Sequence, residues 1–390
     1  MPDMRKLKIC NIGWAYSPHV NRVAKWFAEK GHDVSILSDQ PFEVEGVKVY
    51  NLYERDKDKT RWQRYRNIEF NISWKWLRRL EGLVHVKKII KNISPDIVHS
   101  HSLWHPGYYG GYLNFHPYVV SVFNGDVLWT RNNVGLFEKC RTGMAFKKAD
   151  LVLGESKTLI EAAIARGADP QKSHIMKIGV DLKVFNIKND KIKLREKLKL
   201  PADANIILSP RSISDFYNLK SLIRAIPKVI EKVPSSLFVF IGFGVSNEYL
   251  NELKRDAERL RIKNNVLFVG KVDYSAVAEY HKASDVFVSV SPKDSGPIAL
   301  QEAMACGNVP VISNLPSVRE LVTDKINGFL VNPSDEKQIA DAVITLLLND
   351  TLRAEIAERN WKIAQDKCDQ EKEMQKMEGL YYKLLEENKR

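Results

Sequence analysis

The sequence predicts an α/β protein of two doubly wound domains, each a parallel sheet with helices on both faces. Three observations lead there. Short β-branched strands alternate with amphipathic helices in both halves, as in Lys6 to Ile12, Val20 to Lys30 and Val34 to Leu37. The same rhythm returns in Ile206 to Ser209, Ser221 to Val233 and Leu237 to Ile241. The length of 390 residues exceeds one ordinary core and fits two. Hydrophobic content of 44% with 28% charged residues is that of a globular chain, and no apolar run reaches the length of a spanning helix.

The start, Met-Pro-Asp-Met-Arg-Lys-Leu-Lys-Ile-Cys, lacks the apolar core of a signal peptide. Cys10, Cys140, Cys306 and Cys368 are far apart and show no paired metal spacing, which suits small residues in a reducing cytoplasm. A cytoplasmic protein without cofactor or metal is expected.

In the first domain, Gly13 follows the first strand but opens no Gly-x-Gly-x-x-Gly fingerprint, which argues against a dinucleotide. Val47 to Asn51 reads as another strand. Ile97 and Val98 form a short strand with His99, His101 and His105 at and after its end, without Cys or acidic partners at metal-ligand spacing. Tyr118 to Phe123 is a strand that ends in Asn124-Gly125-Asp126, where Asn124 and Asp126 are polar candidates and Gly125 serves the turn. Asp150 to Leu153 is a further strand, and Ser156 caps a helix through Ala165 that Gly167 stops. After Gly179-Val180-Asp181 and Phe185, the Lys-rich stretch Lys188 to Lys199 reads as a hinge or surface helix.

In the second domain, Arg211 stands at the carboxyl end of the strand Ile206 to Ser209, with Tyr217, Asn218 and Lys220 following. Gly242-Phe243-Gly244 closes the strand from Leu237, and Lys271 and Val272 follow the strand Asn265 to Gly270. Residues 286 to 313 then read as strand, loop, helix, turn and strand. Ser295, Gly296, Pro297 and Ile298 begin the helix, and Gly307 ends it with φ > 0. A helix starting just past a strand end aims its free N–H groups into the crevice where phosphates bind. Asp294 and Glu302 are placed to accept hydroxyls of a sugar and a ribose. An equally open reading makes Asp294 a first-turn acid and Glu302 a solvated helix residue. One charged helix, roughly Leu352 to Glu387, ends the chain. The expected boundaries are 1–184, 185–367 and a C-terminal helix 368–390 that packs back on the first domain.

The run Pro-Ile-Ala-Leu-Gln-Glu-Ala-Met-Ala-Cys-Gly-Asn-Val-Pro-Val-Ile-Ser resembles the Glu-x7-Glu segment of retaining glycosyltransferases of the GT-B fold, in the glycogen-synthase-like family four, with Asp294 in place of the first Glu. Asp-Ile-Val-His-Ser-His and Gly179-Val180-Asp181 resemble further segments of that family, the latter with Ile178 where relatives have Asn. The resemblance implies two Rossmann-like domains facing a cleft. It also implies transfer, of hexosyl type, from a nucleotide-diphospho-sugar to a glycan or lipid-linked acceptor, without metal. Arg211 then neutralises the diphosphate. Tyr217 occupies the place of a second cation, a Lys, and Lys220 lies three residues out of register. Asp294 is assigned to the sugar, Glu302 to the ribose, and Gly242 and Gly244 to the phosphates. Lys271 and Val272 lie where relatives hold the base, and Gly13 faces donor and acceptor. Asn124 stands where many relatives place a sugar-contacting His.

Two other readings are a non-hydrolysing sugar-nucleotide epimerase of the same architecture and a non-catalytic basic membrane- or nucleic-acid-binding protein. The second rests on Arg55 to Lys91, with twelve Lys or Arg against four Asp or Glu and with Trp62, Tyr65, Trp74 and Trp76 interleaved. Such a segment suits an anionic membrane at the inner face of the cell, nucleic acid not being expected, or it is a solvated helix face with its aromatics turned inward. If Arg61, Arg64, Arg66, Lys75, Arg78 and Arg79 face a membrane, sedimentation with liposomes requires anionic lipid and weakens with salt. Each basic residue contributes on the order of 1 kcal/mol. Reversing Arg61, Arg64, Arg78 and Arg79 to Glu abolishes that binding and spares activity on a soluble acceptor. A wild-type chain that stays in the supernatant at low salt refutes the membrane reading.

Overall fold

A computed structural model describes residues 5–40, 42–52, 72–104, 107–128, 135–188, 190–242 and 246–388. Contacts divide the chain into two compact units, Met1–Ile178 with Met374–Arg390, and Gly179–Glu373.

The first unit is built on seven parallel strands: β1 (Lys8–Ile12), β2 (Asp33–Ser38), β3 (Lys48–Asn51), β4 (Ile97–His101), β5 (Tyr118–Val122), β6 (Leu151–Gly154) and β7 (Ser173–Ile175), in the order β3-β2-β1-β4-β5-β6-β7. The helix Ile72–Ile93 turns Val86, Ile89 and Ile90 into the core, while Lys87, Lys88 and Lys91 are exposed. Of the basic segment, Arg61, Trp62, Arg64, Tyr65 and Arg66 lie outside the described residues. Among the described residues no helix is long and apolar enough to cross a membrane.

The second unit has six parallel strands: β8 (Asn205–Ser209), β9 (Ser236–Ile241), β10 (Val266–Gly270), β11 (Val286–Ser289), β12 (Val309–Ser313) and β13 (Phe329–Val331), in the order β10-β9-β8-β11-β12-β13. Alternation along each strand feeds two apolar layers. Ile207, Phe238, Phe240, Val286 and Val288 pack on the helices Leu219–Lys232 and Glu336–Leu347. Ile206, Leu208, Val239 and Ile241 pack on the opposite side with Tyr280 and Ala283.

One expectation changes. The last helix is two helices, Asp350–Lys367 and Gln370–Glu387. Val180 breaks it by pairing with the backbone: its N–H donates to Cys368 O at 2.7 Å and its carbonyl accepts from Gln370 N–H at 3.1 Å. Two such bonds to one extended residue are incompatible with a continuous helical ladder at that point. The second piece joins the first unit, where Tyr381 stacks on Phe27 at 5.2 Å and its hydroxyl meets His99 Nδ1 at 2.6 Å. Glu378 reaches His32 Nε2 at 2.9 Å.

The Lys-rich connection, expected as a hinge or surface helix, is a surface helix anchored by one buried side chain. Within its helix Lys191–Lys197, Arg195 is 7% exposed and donates to Ala283 O, Ala202 O and Asp285 Oδ2. Asp285 also accepts from Lys191 Nζ at 2.5 Å and Ile206 N–H at 2.7 Å. Removal of this carboxylate leaves a buried guanidinium without its counter-ion. Asp285→Ala therefore lowers the stability of the second unit by about 3 kcal/mol or more in urea unfolding. A loss under about 1 kcal/mol would show that Arg195 finds compensation elsewhere.

Candidate active site

In the second sheet the strand order reverses between β8 and β11, so the connections leaving their carboxyl ends diverge and open a crevice. Arg211 follows β8 and Asp294 follows β11, and their side chains form an ion pair, 11% and 14% exposed. The guanidinium lies over the ring of Tyr217, 4.5 Å from its centroid. The residue that stands where a Lys is expected thus supports the Arg211 guanidinium by its π face. Asp294 Oδ1 accepts from Ser295 N–H at 2.8 Å, and its backbone carbonyl accepts from Ser317 Oγ at 2.7 Å.

Both loops are pinned by residues that carry no charge. Asn218 takes φ +53° and donates from Nδ2 to Val290 O at 3.2 Å and Pro333 O at 2.7 Å, tying the β8 loop to β11. Its Oδ1 accepts from Ser221 Oγ at 2.9 Å. Gly242 presses on the Arg211 backbone so closely that a Cβ would sit 2.5 Å from Arg211 O. Asn218 and Ser317 were not singled out as site residues from sequence. An Asn just before a helix was the available signal for the first, and Ser317 offers none, because its partner is distant in the chain.

Behind the loop, Gly296 adopts φ +124°, Pro297 caps the helix Ile298–Ala305, and Gly307 ends it at φ +76°. Leu300 N–H turns back to Pro297 O at 3.0 Å. The first turn of a helix presents N–H groups without intrahelical acceptors and a partial positive charge. Glu302 is 5% exposed, so it is not a solvated helix residue. It lies among buried groups that include His281, whose Nδ1 meets Asn308 Oδ1 at 2.7 Å. Burial lowers the His281 pKa, and the Glu302 charge opposes that shift.

The remaining residues named from sequence are dispersed. Lys220 pairs with Glu252 at 2.6 Å and sits over Tyr249. Lys271 is exposed, and Val272 packs half-buried beside Tyr280 and Ile241. Gly244 lies outside the described residues. In the first unit, Gly13 lets β1 pass β4, since a Cβ would stand 3.1 Å from His101 Cβ. Asn124 begins a short helix, Asn124–Val127, and is half-buried. Asp126, 1% exposed, accepts from Ser102 Oγ and Leu103 N–H on one oxygen and from Phe123 N–H on the other. Burial pushes its pKa up to about 6 against those hydrogen bonds. It serves to knot the loops after β4 and β5. Of the histidines near β4, His99 is held by Tyr381 and Ser121, and His105 lies outside the described residues.

The comparisons agree with this architecture. The family model described as "Glycosyl transferases group 1" matches residues 190–362, and "Glycosyl transferase 4-like" matches residues 8–156. An uncharacterised glycosyltransferase of Methanocaldococcus jannaschii is 24% identical over 373 residues, covering 87% of this chain and 89% of that one. The UDP-Gal:alpha-D-GlcNAc-diphosphoundecaprenol alpha-1,3-galactosyltransferase of Escherichia coli is 27% identical over 279 residues, 69% of this chain and 70% of the relative. The crystal structure of Anabaena HepE with UDP and glucose superposes with a TM-score of 0.79 over 97% of this chain and 100% of that one, at 19% identity, a likeness of fold. With two Rossmann-like parallel sheets, the GT-B fold and both family segments in place, the chain belongs to the group 1 glycosyl transferases and is a glycosyltransferase.

Proposed function

We propose that this protein transfers a sugar from a nucleotide-diphospho-sugar to a hydroxyl acceptor, with retention at the anomeric carbon and without a metal ion. The observation that carries the proposal is the Arg211–Asp294 pair at the strand reversal of the second sheet, in front of the helix Ile298–Ala305. A departing diphosphate needs a cation and aimed N–H groups, and Arg211 with the helix start supplies both. The arriving phosphates compete with Asp294 for the guanidinium. The displaced carboxylate then accepts hydroxyls of the donor sugar, while Glu302 accepts those of the ribose. The leaving phosphate takes the acceptor proton on the same face. Support for a nucleotide-sugar donor comes from the structural relative holding UDP and glucose, and for a lipid-linked acceptor from the diphosphoundecaprenol galactosyltransferase. With a lipid-linked acceptor, the basic segment gives the protein a peripheral place at the membrane.

A panel of nucleotide sugars with a lipid extract, read by mass spectrometry, tests the reaction. Glycosylated lipid with released nucleoside diphosphate is expected. An epimerised sugar, or an unchanged donor, overturns the proposal.

Two sets of substitutions test the residue roles. Glu302→Gln removes a charged acceptor at constant volume and weakens the nucleoside diphosphate by roughly 1.5–3 kcal/mol in calorimetry. An unchanged affinity removes the residue from the ribose site. Arg211→Ala weakens the nucleoside diphosphate far more than the free nucleoside. Asp294→Asn acts in the opposite sense on the diphosphate, binding it more tightly by about threefold or more as a competing anion is lost, while sugar transfer falls. Parallel losses of both ligands in Arg211→Ala would indicate a structural residue.

A further inference from the structure

At the carboxyl edge of the second sheet, one side chain from the loop beyond β8 holds two distant backbone carbonyls. Asn218 Nδ2 donates to Val290 O, just past β11, and to Pro333 O, just past β13. A carboxamide nitrogen carries two hydrogens, so each carbonyl receives one. These two acceptors also fix which end of the amide is nitrogen, and its oxygen faces Ser221 Oγ at 2.9 Å.

Asn218 ends the tight turn Asp215–Tyr217 with φ +53°. The turn is closed by Tyr217 N–H to Ser214 O at 3.2 Å and by Asn218 N–H to Asp215 O at 3.0 Å. Glycine would meet that left-handed backbone as well, without a side chain. What the carboxamide adds is its pair of bonds across 72 and 115 residues. They hold the backbone next to Tyr217, whose ring lies 4.5 Å under the Arg211 guanidinium. Phe216 braces that ring edge-on at 5.1 Å. A second tie between the loops is weaker. Ser291 Oγ lies 2.7 Å from Lys293 O and 3.4 Å from Phe216 O, and a hydroxyl has one proton to give.

We infer that Asn218 is a positioning residue of the diphosphate site: by fixing the turn that carries Tyr217, its carboxamide sets where the Arg211 guanidinium points. Asn218 acts through Tyr217 and Arg211 and takes no part in holding the nucleoside. Without its two bonds the turn shifts against β11, and the guanidinium keeps its charge but loses its fixed place. This role rests on the reading of the second unit as the nucleotide-sugar site, and adds to that reading a residue with no charge.

The test is a double-mutant cycle in the full chain, with Asn218→Gly, Arg211→Ala and the two together. Glycine keeps the left-handed backbone and removes only the carboxamide. Calorimetry compares UDP, GDP and ADP with the matching nucleosides, and a thermal melt establishes that each variant is folded at the temperature used. Asn218→Gly weakens the diphosphate by about fivefold and leaves the nucleoside unchanged. In the Arg211→Ala background the same substitution weakens the diphosphate no further, because residues that act through one another are not additive. Asn218→Asp keeps the volume but turns an acceptor toward both carbonyls, and weakens the diphosphate at least as much. An equal loss in both backgrounds shows a role independent of Arg211 and overturns the inference. So does equal weakening of diphosphate and nucleoside, or an unchanged diphosphate affinity in both Asn218 variants. A wild-type chain that binds none of the three diphosphates removes the donor-site reading as well.

Discussion

The second sheet reverses its strand order at one place, and an ion pair spans the gap that the reversal opens. Arg211 and Asp294 are each mostly removed from water. In such surroundings a lone charge is strongly unfavourable, and mutual attraction compensates only when the geometry is held. The nearby side chains provide that hold: Asn218 bridges the two loops, Ser317 fixes the Asp294 backbone, and Gly242 allows the Arg211 backbone to close on β9. On the proposed reading, a diphosphate entering this place finds a paired cation and exchanges one anion for another. That exchange is less unfavourable than drawing a solvated arginine out of water.

Tyr217 gives the site a distinct balance. A second cation would add attraction for phosphate but also repulsion toward Arg211. An aromatic face adds attraction to the one guanidinium and restricts its rotation. Lys220, another cation of the stretch after β8, is engaged by Glu252. On the proposed reading, the diphosphate in the second unit is held by Arg211 together with the helix start at Ile298.

In the first unit the polar groups at the strand ends divide into two kinds. Asp126 and His99 have their hydrogen-bonding capacity taken up by neighbours and fix the shape of the loops. His101 Nδ1 is buried without a hydrogen-bond partner, and Glu155 Oε1 meets only His19 Nδ1, at 3.4 Å. Chemical type does not separate the kinds, since each contains a histidine and a carboxylate. What separates them is which donors the neighbouring loops bring within reach.

The sequence by itself determined the element types and most of their ends. Alternation and β-branching marked the strands, Ser156 and Gly307 marked a helix start and a helix end, and Arg211 and Asp294 stood just past strand ends where an open α/β sheet places its ligands. These signals are legible because they are set by residues a few positions apart. Tertiary structure alone decided the pairing of Arg211 with Asp294, 83 residues apart, the burial of Glu302, and the use of Tyr217 as a support. It also decided the break of the last helix by Val180 and the bond between His101 Nε2 and Asn11 Oδ1, 90 residues apart. Each of these depends on which strands and loops lie side by side. That choice is made by burial over the whole unit, and no local pattern records it.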